Sequence, residues 1–151
     1  MPQKSAFTGK YVKADVPVNE KIVSHIDGAI FQDEAYHILI TSKGVNIEAT
    51  TQRGLYWARQ TMAQLKTDKK GKQLLPLCEI TDWPAFRIRG YMHDIGRSYI
   101  PVDELKAEIA MLSRFKINTF HWHLTENQAW RLESKPVSYT HLRAHETTLH
   151  L

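Results

Sequence analysis

Apolar and polar residues alternate strictly in two short runs of this chain. Tyr36, Ile38 and Ile40 make one, Val45, Ile47 and Ala49 the other, with Ser42-Lys43-Gly44 between them. A period of two sends every second side chain to one face of a strand, so the pair predicts a hairpin with one buried face. After Gly54 the period changes. Leu55, Ala58, Met62 and Leu65 fall three and four apart, with Arg59, Gln60 and Gln64 off that stripe, which predicts an amphipathic helix. The helix runs into a lysine- and glycine-rich stretch expected to be a loop. Residues Ile22 to Ile30 offer a further strand, so residues 1–82 predict a small α+β unit.

A boundary is expected at Asp82-Trp83-Pro84-Ala85-Phe86, where proline interrupts regular pairing. Beyond it, Ile88 to Ile95 reads as a strand. Asp103 is the expected N-cap of a helix, with Glu104 in its first turn and Leu105, Ile109, Leu112 and Phe115 facing a core. Ile117 to Leu124 reads as the next strand. Strand, helix and strand at this spacing predict a βαβ unit with parallel pairing and a right-handed crossover. Residues just past the carboxyl ends of such strands face the ligand site. Here they are Asp94 to Arg97 and Thr125 to Asn127. After Pro136 the pattern follows neither period, and SYTHLRAHET resembles translated adapter read-through. Residues 137–151 are accordingly expected to be a non-native tail, leaving 83–136 as the βαβ portion.

Length changes this picture. A (β/α)8 barrel needs about 250 residues, and 151 residues hold only the beginning of one. A composition of 42% hydrophobic and 24% charged residues excludes disorder, collagen-like repeats and coiled coil as the overall class. The net charge is +4. Its one local run, Lys66, Lys69, Lys70 and Lys72, lies among Thr67, Asp68, Gly71 and Gln73, so it predicts a solvated loop rather than a nucleic-acid surface with interleaved aromatics. The single cysteine, Cys78, allows no internal disulfide. Neither a leader's apolar segment nor 18 consecutive apolar residues are present, so no membrane partner is expected.

Candidate chemistry gathers at the predicted strand ends. His121-Trp122-His123 places two imidazoles on one face of a strand, with His93 and Glu126 as possible further metal ligands. The same rings serve equally as hydrogen-bonded core histidines. Arg97 follows Gly96, whose lack of a side chain would let the chain turn sharply. Its rigid fork of donors suits two adjacent sugar hydroxyls, or else a salt bridge to Asp94 or Glu126. Trp122, Trp130 and Tyr99 could stack on a pyranose ring or simply pack.

Taken together, Asp82 to Phe86, Arg89-Gly90-Tyr91-Met92-His93-Asp94-Ile95-Gly96-Arg97 and the run Phe115 to Arg131 closely resemble the start of the catalytic barrel of glycoside hydrolase family 20, the β-N-acetylhexosaminidases. Gly44 to Ala49 and Gly54 to Leu65 resemble the small α/β domain that precedes that barrel. The resemblance implies an α/β protein, a small domain followed by the beginning of a (β/α)8 TIM barrel. It also implies a hydrolase that removes terminal N-acetylglucosamine or N-acetylgalactosamine from glycans, with retention and without cofactor or metal. The substrate's 2-acetamido oxygen then attacks the anomeric carbon, an exception to the two-carboxylate scheme. Arg97 matches the arginine that grips ring hydroxyls. Glu126 matches an acidic residue that pairs with a histidine supporting the acid, although the commoner pattern has two aspartates where this chain has Glu126-Asn127. His93 stands where an apolar residue is common.

The family's adjacent Asp-Glu pair has no match in the barrel-like half except Asp103-Glu104, at a helix start. The chain alone is therefore expected to be an inactive fragment, and the resemblance suggests an exported parent. Two other readings compete with it. One is a metal-dependent barrel hydrolase built on His121 and His123, the other a non-catalytic carbohydrate-binding module.

Overall fold

The computed structural model describes residues 2–127 and 129–130, and the expectation for 137–151 lies outside them. The chain divides between Arg87 and Ile88 into two compact units.

The first unit holds strands β1 (Lys4–Lys13), β2 (Val18–Ile22), β3 (Tyr36–Thr41) and β4 (Gly44–Ala49), helix α1 (Gln52–Leu65), and strands β5 (Thr67–Lys69) and β6 (Lys72–Asp82). They form one sheet in the order β1-β6-β3-β4-β2, with β5 also on β6. The alternating runs form the expected hairpin, pairing Ile38 with Ile47 and Ile40 with Val45. Every second residue is buried, because a half-buried strand sorts its side chains by face. Leu55, Ala58 and Met62 of α1 are buried against that face together with Trp57. The Thr51 hydroxyl caps the helix by accepting the Gly54 N–H at 3.2 Å. A Cβ on Gly54 would lie 2.5 Å from the Ala35 carbonyl oxygen, so only glycine lets the helix start sit this close to the chain before β3.

One polar chain crosses this core. The Tyr36 hydroxyl donates to Asp82 Oδ2 at 2.8 Å and lies 2.6 Å from Thr61 Oγ1, while the Gln3 N–H donates to Asp82 Oδ1 at 3.0 Å. Burial, reinforced by the Asp82 charge, raises the Tyr36 pKa far above that of a free phenol. Burial likewise raises that of the Cys78 thiol.

The structure departs from two expectations and adds elements that none foresaw. The extra strand is Val18–Ile22, parallel to β4, rather than Ile22 to Ile30. Beyond it the backbone bends around Gln32, whose amide bonds Ile26 N, Ile26 O and Ala29 O. The lysine-rich stretch is not a loop but the hairpin β5–β6, closed by Lys70 and Gly71 at φ 56° and 74°. Positive φ at both central residues is the turn geometry that matches strand twist, and glycine adopts it without strain. Finally, β1 and most of β6 had no counterpart in the pattern.

The second unit contains β7 (Gly90–Asp94), α2 (Val102–Arg114), β8 (Thr119–His123) and the short pair β9 (Thr125–Glu126) and β10 (Ala129–Trp130). Strands β7 and β8 pair in parallel, as the βαβ reading requires. Helix α2 starts two residues earlier than expected. Pro101 takes the N-cap position and Asp103 falls in the first turn, where its charge favours the helix dipole and pairs with Lys106 at 3.2 Å. Of the predicted core stripe, Leu105 is buried, whereas Ile109 is 44% and Phe115 73% exposed. A two-stranded sheet is too narrow to cover more than one turn of such a helix.

Candidate active site

The register of β7 and β8 sets Asp94 opposite His123 and Met92 opposite His121. Because side chains alternate, these four share one face of the pair, while Tyr91, His93, Phe120 and Trp122 share the other. Helix α2 meets the second face, where His93 Nδ1 lies 2.7 Å from Glu108 Oε2. The Tyr91 hydroxyl also bonds Glu108, which raises its pKa. His93 is thus turned away from His121 and His123 and cannot complete a metal site with them. Trp122 is turned away too, and the side chain of Trp130 lies outside the described residues.

At the carboxyl ends of the strands, four charged or polar side chains converge instead. Asp94 Oδ1 accepts the Arg97 N–H at 3.1 Å and lies 3.3 Å from His123 Nδ1. Asp94 Oδ2 lies 3.4 Å from Arg97 Nε. Arg97 Nη2 donates to Glu126 Oε2 at 3.1 Å, and His123 Nε2 is 3.9 Å from the same oxygen. The Glu126 Oε1 atom accepts the Asn127 N–H at 3.0 Å. The Ile95 N–H, bonded to the His123 carbonyl at 3.1 Å, continues the pairing into the turn that carries Arg97.

Gly96 makes this convergence possible through space, not through an unusual backbone angle. A Cβ there would lie 2.9 Å from the Glu126 Cβ and 3.1 Å from Asp94 Oδ1. Its φ is not among the positive ones, so the turn at residues 95–97 forms without glycine's left-handed freedom.

The charges fit one another. At Asp94, desolvation acts to raise the pKa, but the Arg97 N–H and the nearby His123 and Arg97 side chains outweigh it and hold the carboxyl below its ordinary value. At Glu126 the Asn127 N–H and then the Arg97 charge lower the pKa, against a smaller desolvation effect. Both acids are held as carboxylates around a guanidinium that remains 67% exposed. Arg97 is therefore fixed at its root, with much of its surface available to a ligand's hydroxyls.

Asp94, His123 and Glu126 also bring their donor atoms within 4.8 Å of one another and could hold a cation; His121 is not in that group. The Arg97 guanidinium already lies against both carboxylates, and its charge opposes a metal ion there. Of the two alternatives for Arg97 raised by its sequence context, the salt-bridge partner is observed, to both Asp94 and Glu126, and the exposed remainder of the guanidinium leaves room for a hydroxyl ligand. The sequence motifs do not show that Asp94 and His123 meet at the junction of the cluster. The signal that locates them is the parallel register combined with period-two alternation.

Comparison with known proteins agrees along both units. Residues 4–83 match glycosyl hydrolase family 20, domain 2, and residues 86–147 match the glycosyl hydrolase family 20 catalytic domain, a match that runs past Pro136. A β-hexosaminidase of Porphyromonas gingivalis is 38% identical over 127 residues, covering 79% of this chain and 16% of that protein. A β-hexosaminidase of Vibrio furnissii is 38% identical over 103 residues, covering 68% of this chain and 17% of that protein. Among solved structures, the β-N-acetylhexosaminidase of Bacteroides fragilis superimposes with a TM-score of 0.77 at 26% identity, over 91% of this chain and 35% of that one. The chain thus spans about a sixth of the two sequence relatives.

Proposed function

The chain belongs to glycosyl hydrolase family 20, and on that premise we propose that it is the small domain and the first βαβ portion of the barrel of an exo-β-N-acetylhexosaminidase. The substrates are glycans ending in an N-acetylhexosamine, the sugar in the name of the Bacteroides fragilis relative, here N-acetylglucosamine or N-acetylgalactosamine. The observation that carries this reading is the Arg97 guanidinium held between Asp94 and Glu126 at the carboxyl ends of parallel strands. In a closed barrel those ends border the substrate, and the face of Asp94 and His123 is the interior one.

In this reading Arg97 binds two neighbouring ring hydroxyls of the terminal sugar. Glu126 keeps Arg97 ionised and aligned, and supports the acid through a histidine; His123, 3.9 Å from Glu126, is available for that. Hydrolysis proceeds with retention: the substrate's acetamide oxygen bonds to the anomeric carbon as the glycosidic bond breaks and the leaving oxygen takes a proton, and water then displaces the acetamide oxygen from the face the leaving group left. The proton donor and the aspartate that orients the acetamide lie outside this chain, because Asp103-Glu104 belongs to the first turn of α2. The 151-residue chain alone is inactive.

An aryl N-acetyl-β-glucosaminide tests both statements. The longer protein containing this chain is expected to hydrolyse it, with the β-anomer of the free sugar appearing first by NMR, and the 151-residue chain is expected to release nothing. A folded longer protein without activity, or a first-formed α-anomer, overturns the reading.

A further inference from the structure

The positive charge of this protein is not spread evenly. Lys10, Lys13, Lys66, Lys69, Lys70 and Lys72, against Asp15 and Asp68, carry a net charge equal to the whole chain's +4, so all other charges cancel. These two segments are far apart in sequence but meet in the fold. Strand β1 pairs Lys13 with Leu74 of β6, and β5 pairs Lys69 with Lys72 across the hairpin.

The register decides which of them cooperate. Leu75 is buried and pairs with Val12 on the core side. Lys13, Lys72 and Lys69, one position out of phase or an even number of positions apart, therefore share the opposite face, with Tyr11. Tyr11 is 45% exposed, and the Lys69 ammonium sits 3.7 Å from its ring centroid. All six lysines are exposed. Both oxygens of Asp68 serve the hairpin itself, accepting the Gly71 N–H at 2.9 Å and the Gln73 side-chain amide at 3.1 Å. Among the described residues no ion pair joins any of the six lysines to a carboxylate.

We propose that this face of the first unit, centred on Tyr11, Lys13, Lys69 and Lys72, binds a linear anionic polysaccharide. Lysines on strands whose backbones run about 4.8 Å apart meet successive sulfate or carboxylate groups as point charges. Tyr11 provides an aromatic edge for a sugar ring beside them. Single-stranded nucleic acid fits less well, because it needs a succession of stacking platforms and only one ring is present. A membrane fits less well because the hairpin tip, Lys69 to Gln73, offers no apolar side chain to insert. Lysines also guard sheet edges against pairing with other chains, a role that requires charge but no ligand. The surface belongs to the first unit, and its test does not depend on hydrolysis.

Calorimetric titration of the full chain with heparin measures it directly. Binding is expected that weakens as salt is raised and that weakens at least about tenfold in K13Q/K69Q/K72Q, as removal of several ionic contacts does. K13R/K69R/K72R should keep the affinity. So should K21Q/K43Q/K106Q, which removes equal charge elsewhere, and all variants should keep the parent's thermal transition. No heparin binding overturns the proposal, as does equal loss in the two glutamine variants. Tighter binding to single-stranded DNA or to phosphatidylserine vesicles than to heparin also overturns it.

Discussion

The two units of this protein place their apolar and polar groups in opposite ways. In the first, Tyr36, Ile38, Val45, Ile47, Leu75 and Ile80 are almost fully enclosed and a single helix seals one face of a sheet. In the second, Ile95 and Leu105 are the buried apolar residues among those described, while Met92, Met111, Phe115 and Trp122 remain exposed. Yet the second unit carries the tightest cluster of charged side chains. Stability and chemistry thus rest on different parts of the chain. A cluster of ionic hydrogen bonds fixes where a guanidinium points, but exposed ion pairs contribute little to folding. Apolar burial does the reverse.

The comparison breaks first on core substitutions. Ile38→Ala should cost the first unit about 2 to 5 kcal/mol, whereas Phe115→Ala should change the second by no more than about 0.5 kcal/mol. Amide hydrogen exchange along a urea series reads each unit separately. Equal effects would mean that the second unit has a core of comparable weight. A smaller effect is expected from Gly54→Ala. Alanine is the better helix former, but its Cβ meets the Ala35 carbonyl, so a loss of about 1 to 3 kcal/mol is expected. A gain in melting temperature would show that the contact relaxes freely.

The smallest effect is one of pH and belongs to the second unit. Asp94 and Glu126 titrate below their ordinary values of 3.8 and 4.5 in the folded chain. Their contribution is therefore complete above those values and is lost as pH falls through the lowered ones. Carboxyl NMR titration should place both below their free values in the parent. In Gly96→Ala, which pushes Glu126 aside, Glu126 should move back up. An unmoved Glu126 would detach it from Arg97.

The same contrast explains what the sequence revealed. The β3–β4 hairpin and α1 were legible because burial on one face imposes a clean period on Tyr36 to Ala49 and Leu55 to Leu65. Strand β1 was not, since its residues are mostly exposed and a register shift between Phe7 and Tyr11 breaks the alternation. Strand β6 slips likewise, with Leu75 and Cys78 both buried three apart. In the second unit the ion pair of Arg97 with Glu126 was legible, since both follow the carboxyl ends of the predicted strands. The turning away of His93 was not, because it follows from the pairing of β7 with β8, a contact between residues some 29 positions apart. Exposure of Phe115 had no signature either, since an apolar stripe looks the same whether or not a partner covers it.

In the function proposed above, Arg97, anchored by Asp94 and Glu126, holds the reacting sugar. The direct measurement is kcat/KM of the longer protein and its Arg97→Ala variant on an aryl N-acetyl-β-glucosaminide. A loss of about 2 to 4 kcal/mol in transition-state stabilisation is expected, whereas a change of less than about tenfold would place Arg97 outside the site.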